Sequence, residues 1–199
     1  MDRFVAEQYN NQVPKGDKKK KADIVVTSAM LSDDKVISTT AQKTSKVLPL
    51  IFYWQFDYRH TTQLNPGIAV SSFSNALNTQ LTKGLSQKLA DQHLELTVQQ
   101  VPTTFAIVDK AHIIWLVYAI SWDKIFVEPD TKDLVVSYKL MQKDNTVKTG
   151  NISIKNTAQN KGVRYFQSWK SATTEHLADY NANMTAMTKA FVTKLMEEL

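Results

Sequence analysis

An α+β protein of one domain is the fold class this sequence predicts, and three observations predict it. Apolar and polar residues alternate along Leu50–Leu64, Leu94–Gln99 and Asp133–Gln142, the period of strands. Phe73, Leu77, Leu81, Leu85 and Leu89 recur every four residues, the stripe of a helix. Leu177, Tyr180, Met184, Met187, Phe191 and Leu195 follow the three-four spacing of a second, longer helix. The order of these elements predicts a single antiparallel or mixed sheet of about 5–7 strands, with two main helices, at about 72–90 and 174–199, packed on one face.

The chain of 199 residues is long enough to build its own core, and it contains no cysteine, so disulfides, thiolate metal sites and a cysteine nucleophile are excluded. No run approaches the roughly 18 apolar residues of a membrane-spanning helix. The formal charge of +5 is concentrated at the start: residues 1–21 carry six basic side chains against three acidic ones, leaving only +2 for the remainder. Residues 1–21 therefore read as a basic, flexible N-terminal segment and residues 22–199 as the α+β domain. Lys18–Lys21 has no interleaved aromatic or arginine to grip a base, so a solvated linker is expected there and no nucleic-acid partner.

Taken in order, residues 1–13 form a short helix or dangle, until Pro14 and Gly16 end them. Ile24–Ala29 reads as a first strand, and Lys35–Lys46 as a loop or edge strand. The strand from Leu50 to Leu64 puts Phe52, Trp54, Phe56 and Tyr58 on one face, and Tyr53, Gln55, Asp57, Arg59, Thr61 and Gln63 on the other. Asn65-Pro66-Gly67 makes a turn, after which Ser71 and Ser72 are expected to cap the leucine helix. Since that helix supplies a matching apolar face, the aromatic stripe is read as the covered, core side of the sheet. Ala111–Val127 is the most apolar stretch, with both alternate sets apolar from Ile113 to Ile120, and reads as the buried central strand. Glu128-Pro129-Asp130 and Lys143-Asp144-Asn145 then turn the chain through two further strands of an antiparallel meander.

Motifs with chemistry are absent. The four histidines, His60, His93, His112 and His176, lack the spacing of metal ligands, and five scattered glycines cannot cradle a phosphate, so neither a metal nor a cofactor is expected. Ser71 and Ser72 lack the flanking glycines of a nucleophile elbow. Asp33-Asp34, Glu128/Asp130 and Glu197-Glu198 lie in turns or at a terminus, where solvated acids are expected. No catalytic residue is assigned. Candidates for binding a ligand or partner are the polar back of the aromatic strand, Tyr53, Gln55, Asp57 and Arg59, then His60 at its end, and Trp122 and Trp169 as partly exposed aromatics.

In this element order, over residues 22–199 and without a diagnostic motif, the chain resembles the small soluble domains of bacterial cell-envelope lipoproteins, such as the auxiliary lipoproteins of ABC-type transport systems. The opening Met1-Asp2-Arg3-Phe4 and the polar, lysine-rich stretch after it are similar to such a protein after removal of its signal peptide and lipid-bearing cysteine. The resemblance implies a non-catalytic, periplasmic or surface-facing accessory module, lipid-anchored through its N-terminal segment in the native form and binding a protein partner; a cytoplasmic location is the alternative. A second reading is a carrier of an apolar small molecule or lipid between sheet and helices, with Met184 and Met187 adapting to the ligand. A large closed cavity lined by Trp54, Phe56 and Leu81 would favour the carrier; a filled core with an exposed apolar patch would favour the partner module.

Overall fold

The computed structural model describes residues 1–14, 23–31, 35–49, 52–80, 83–89, 92–115, 118–143 and 145–199, with the side chains of residues 83, 84 and 86 left aside. The fold is α+β, but its strands form two sheets where one is expected. The first joins β1 (Ile24–Ser28), β4 (His93–Gln100), β7 (Leu134–Gln142) and β8 (Asn145–Ile154) in the order β1-β4-β7-β8, with β1 parallel to β4 and the other pairs antiparallel. The second is antiparallel, in the order β2-β3-β5-β6-β9, and contains β2 (Ile37–Leu48), β3 (Tyr53–Leu64), β5 (Thr104–Trp115), β6 (Ala119–Pro129) and the short β9 (Lys161–Gly162).

The four-stranded sheet is the layer that the alternation foretells. Leu94, Leu96, Val98, Leu134, Val136, Tyr138, Leu140, Ile152 and Ile154 are buried from one face of it. The helices α2 (Pro66–Gln80) and α4 (Trp169–Glu198) pack on each other, with Phe73 and Phe191 edge-on at 5.5 Å, and the predicted seam of α4 is buried throughout. Met184, Phe191, Leu195, Phe73 and Leu77 fill this core to within 2% of complete burial, a packed layer between sheet and helices among the described residues.

Helix boundaries shift for identifiable reasons. Asn65, not Ser71 or Ser72, caps α2: its side-chain oxygen accepts from the Gly67 N–H at 2.8 Å, Pro66 takes the first helical position, and Ser71 is buried inside the helix. Leu85 and Leu89 are buried around a separate short helix, α3 (Lys83–Lys88), and Leu81 lies outside the described residues. Ser168 begins α4 five residues early by accepting from the Ser171 N–H.

The first half of the segment expected to be flexible is part of the core. Residues Asp2–Gln8 form α1, with Val5 fully buried and Phe4 edge-on to Trp169 at 5.3 Å. Beyond it Val13 packs so closely on Gly67 that a Cβ there would stand 2.7 Å from its methyl group. Lys18–Lys21 lie outside the described residues. Val5→Ala is expected to cost about 2 kcal/mol, from two lost methyl groups and the void they leave. Urea unfolding of wild type and variant measures it, and equal midpoints would return α1 to the surface.

Three further expectations are corrected. The run Ala111–Val127 is a hairpin, not one buried strand: Trp115 pairs with Ala119, so the chain reverses between them, and Ile113–Ile120 forms the exposed end of the sheet. The exposure holds for Trp115 and for Tyr118, Ala119 and Ile120; Ile113 and Ile114 are half-buried, and Leu116 and Val117 lie outside the described residues. The strands on either side of Glu128-Pro129-Asp130 belong to different sheets, so the meander is broken there. And the aromatic stripe is not covered by the helices. Trp54, Phe56 and Tyr58 are half-buried, Phe52 precedes the strand, and only the stretch of β3 near Thr62 and Leu64 reaches the core.

The acids of the turns are also engaged. Asp130 accepts from the N–H groups of Thr103, Thr104 and Lys132, and Asn156 donates to its carbonyl. Glu198 accepts from the Tyr138 hydroxyl at 2.7 Å. Asp33 and Asp34 lie outside the described residues.

Candidate functional site

The five-stranded sheet is much longer than the helices that cover it. Its strands β2, β3, β5 and β6 run for 11 or 12 residues. Side chains at one end, Ile37, Thr62, Leu64, Phe105 and Val127, are buried, whereas most of β2 and residues 119–125 of β6 are exposed. The distal half of the sheet therefore stands clear of the helices and offers two faces to its surroundings.

The register assigns the predicted site residues to these faces. Tyr53, Gln55, Asp57 and Arg59 pair with Ile114, His112, Lys110 and Val108 of β5, which pair with Ile120, Trp122, Lys124 and Phe126 of β6. Directly paired residues share a face, so five of the seven candidates, Tyr53, Gln55, Asp57, Arg59 and Trp122, meet on the back of the sheet. His60 and Trp169 do not join them. His60 pairs with Ile107 on the front face, on the opposite side from Asp57, and the two make no catalytic pair.

On the back, an aromatic and polar chain runs along the strands. The Tyr53 hydroxyl and His112 Nδ1 share a hydrogen bond of 2.6 Å, and the His112 ring stacks on Trp122 with centroids 5.1 Å apart and planes at 8°. Gln55 donates to Asp57 at 3.0 Å. Arg59 reaches across β5 to Glu128 with two hydrogen bonds, 2.7 and 3.0 Å, a bidentate pair over buried Val108. The hydrogen bond to Arg59 holds the Glu128 carboxyl below its ordinary value and the Arg59 guanidinium above its own. Both groups are about one-third exposed, so the clamp fixes register more than it stabilises the fold.

On the front, Tyr58, His60, Ile107, Asp109, Ile125, Trp169 and Met1 line an open cleft of about 520 Å3. Lys43 places its ammonium 5.1 Å from the Tyr58 ring centre and 5.7 Å from that of Phe56, and Lys170 lies 5.7 Å from the Trp169 ring centre. One buried oxygen of Asp109 has no hydrogen-bond partner; burial, reinforced by Asp123, raises this carboxyl above its ordinary value. The cleft is thus apolar and aromatic, with mixed charge at its margin, and suited to holding an apolar group.

Sequence reasoning missed His112, Asp109, Glu128 and Trp115 as members of these faces. Their signal is the pairing of β5 with β3 and β6, and no turn residue marks the β5–β6 reversal. Among the described residues no helix is long and apolar enough to cross a membrane. Compared with protein-family models, with curated proteins and with solved structures, the chain matches none.

Proposed function

We propose that this chain is a non-catalytic accessory module of the cell envelope, which binds a protein partner there. The observation that supports it is the aromatic face of the distal half of the five-stranded sheet, which no helix covers among the described residues. Large exposed apolar surface of this kind marks a docking site, since a monomer gains nothing from keeping it in water. A filled helix–sheet core beside an exposed patch is the combination that favours a partner module. The envelope location and an N-terminal lipid anchor on the native chain belong to the same reading and rest on the resemblance to envelope lipoproteins.

Cell fractionation tests it. The native protein is expected in the envelope fraction and cross-linked there to a second protein, and a Phe56→Ser/Ile125→Ser variant of the front face should lose that cross-link while its anchor keeps it in the envelope. A wild-type protein found wholly in the soluble fraction would sink the proposal.

The carrier reading retains one supporting observation, the open front cleft. On that reading the apolar ligand would lie against Tyr58, Ile107 and Ile125 of the five-stranded sheet, with Trp169 of α4 on the opposite side.

A further inference from the structure

Two stretches of this sequence share an unusual composition. Residues 45–56 and 111–122 contain no aspartate or glutamate, and their only lysine or arginine is Lys46. Together they hold three of the four tryptophans, Trp54, Trp115 and Trp122, with Phe52, Tyr53, Phe56 and Tyr118. The fold brings the two stretches to one place. Their described residues are the last rungs of the β2–β3 and β5–β6 hairpins, set side by side by the pairing of Tyr53 with Ile114 and joined by a hydrogen bond from the Trp115 N–H to the Phe52 carbonyl at 3.0 Å. This end points away from the helices.

The large side chains there are exposed: Tyr118 by 70%, Phe52 by 56%, Trp115 by 52% and Trp122 by 45%. Phe52 also has a positive φ of 45°, a conformation costly to a residue with a side chain. Tryptophan and tyrosine gather where membrane meets water, because each carries an apolar ring and a polar handle. Behind them the polarity changes in order. Lys46 stands two residues back from Leu48, about 7 Å at the strand rise, which is the thickness of one headgroup layer. Lys110 and Lys124 stand on the rung of Asp57, about 14 Å back from the Tyr53 rung. At that distance they lie outside a shallowly entered headgroup layer, and Lys110 turns back, its ammonium 5.7 Å from the Phe126 ring centre, so the phosphate contact falls to Lys46.

Depth is limited by the same geometry. From the Tyr53–Ile114–Ile120 rung to the first rung with an acid, Phe56–Ala111–Asp123, is three residues, short of the roughly 9–11 that a spanning strand needs. Moreover β2 and distal β6 are sheet edges, whose unpaired backbone groups must stay within reach of water. A protein interface of comparable size would carry a polar rim and about one hydrogen bond per 100–200 Å2. Among side chains these ends offer only Ser45, Lys46, Gln55, His112 and Ser121 besides the aromatic hydroxyl and indole groups, and His112 is already bonded to Tyr53.

Resting on the envelope reading above, we infer that the paired hairpin ends enter the interfacial layer of a lipid bilayer, with Phe52, Trp115 and Tyr118 at the hydrocarbon boundary and with Lys46 and Trp122, which share the Gln55 rung, at the phosphates. The insertion is shallow, about 5–10 Å, in the manner of interfacial anchors. It leaves the front cleft in water, facing along the membrane.

Flotation of the purified full chain with phosphatidylcholine vesicles, with and without phosphatidylglycerol, tests the inference. Wild type is expected to float, more strongly with the anionic lipid, and its tryptophan emission should shift to the blue and be quenched by lipids brominated high in the acyl chain. The Phe52→Ser/Trp115→Ser/Trp122→Ser variant should partition at least about tenfold more weakly. Tyr118→Ser alone, at a site too exposed to affect folding, should weaken it by a smaller factor. Equal flotation of wild type and both variants would overturn the inference, because attachment would then lie elsewhere. A wild-type dimer that the triple variant makes monomeric would also overturn it, placing a second copy over the ends. Retention of wild type in the cellular envelope fraction without any vesicle binding would reject lipid as the occupant while leaving the protein-docking reading in place; loss from that fraction rejects the docking reading itself.

Discussion

Asp130→Ala should destabilise the protein by about 3–5 kcal/mol. Three backbone N–H groups, those of Thr103, Thr104 and Lys132, donate to this one carboxylate at 2.9, 3.2 and 3.0 Å. Removing the acceptor leaves two part-buried donors without a partner, and each costs about 1–3 kcal/mol in addition to the charge-assisted bonds lost. The residue stands where the chain leaves the five-stranded sheet for the four-stranded one. Asn156 ties the same corner, donating to the Asp130 carbonyl at 2.7 Å and accepting from Asn183 of α4 at 2.9 Å. The Asp130 change therefore loosens both sheets and the long helix at one point. Urea unfolding is the measurement, and a loss below about 1 kcal/mol would show that the corner is held by packing alone.

Acid should weaken the fold through His176. It is a buried residue of α4 with its ring 4.6 Å from that of Phe105, and burial pushes its pKa down to about 4; nearby Asp179 opposes the shift and Lys161 reinforces it. The folded value lies below the unfolded value of about 6.5, so the unfolded chain binds the proton first as pH falls. The neutral ring's contribution is complete above pH 6.5 and is lost progressively down to about pH 4, where it amounts to about 3 kcal/mol. Thermal melts of wild type and His176→Gln across this range separate the effect from that of paired carboxylates such as Glu128. Parallel melting curves for the two proteins would mean that His176 already titrates freely.

Local pattern carried one layer of this fold and misled on the other. Leu94, Leu96 and Val98, Leu134 to Leu140, and the seam from Leu177 to Leu195 alternate as their buried faces require, so that sheet and its long helix could be read directly. The hairpin at Trp115–Ala119 could not. Every residue from Ile113 to Ile120 is apolar or aromatic, and no Gly, Pro, Asn or Asp marks the reversal, so a strand buried on both faces and an exposed hairpin end look alike in one dimension. The division into two sheets was hidden for a related reason. It depends on which strands pair, as with Ile24 and Leu94, and not on any strand's own composition.

For the candidate site, alternation correctly set Tyr53, Gln55, Asp57 and Arg59 on one face and His60 on the other. What it could not supply was the partner strand. Trp122 reaches Tyr53 only through His112, and Arg59 finds Glu128 only across β5. The aromatic stripe was assigned to the core because a leucine helix follows it in sequence, but that helix packs on α4.

The parallel pairing of β1 with β4 has a consequence for how the chain folds. Ile24 lies beside Leu94, 70 residues away, whereas the β2–β3, β5–β6 and β7–β8 hairpins close locally. Closing so long a loop is entropically slow, and it becomes favourable only once the intervening segment is compact. During synthesis β1 emerges long before the strand that will receive it. Until they meet, β4 keeps an open hydrogen-bonding edge beside Leu94, Leu96 and Val98, the feature that draws incomplete chains into aggregates. Docking of β1 closes that edge.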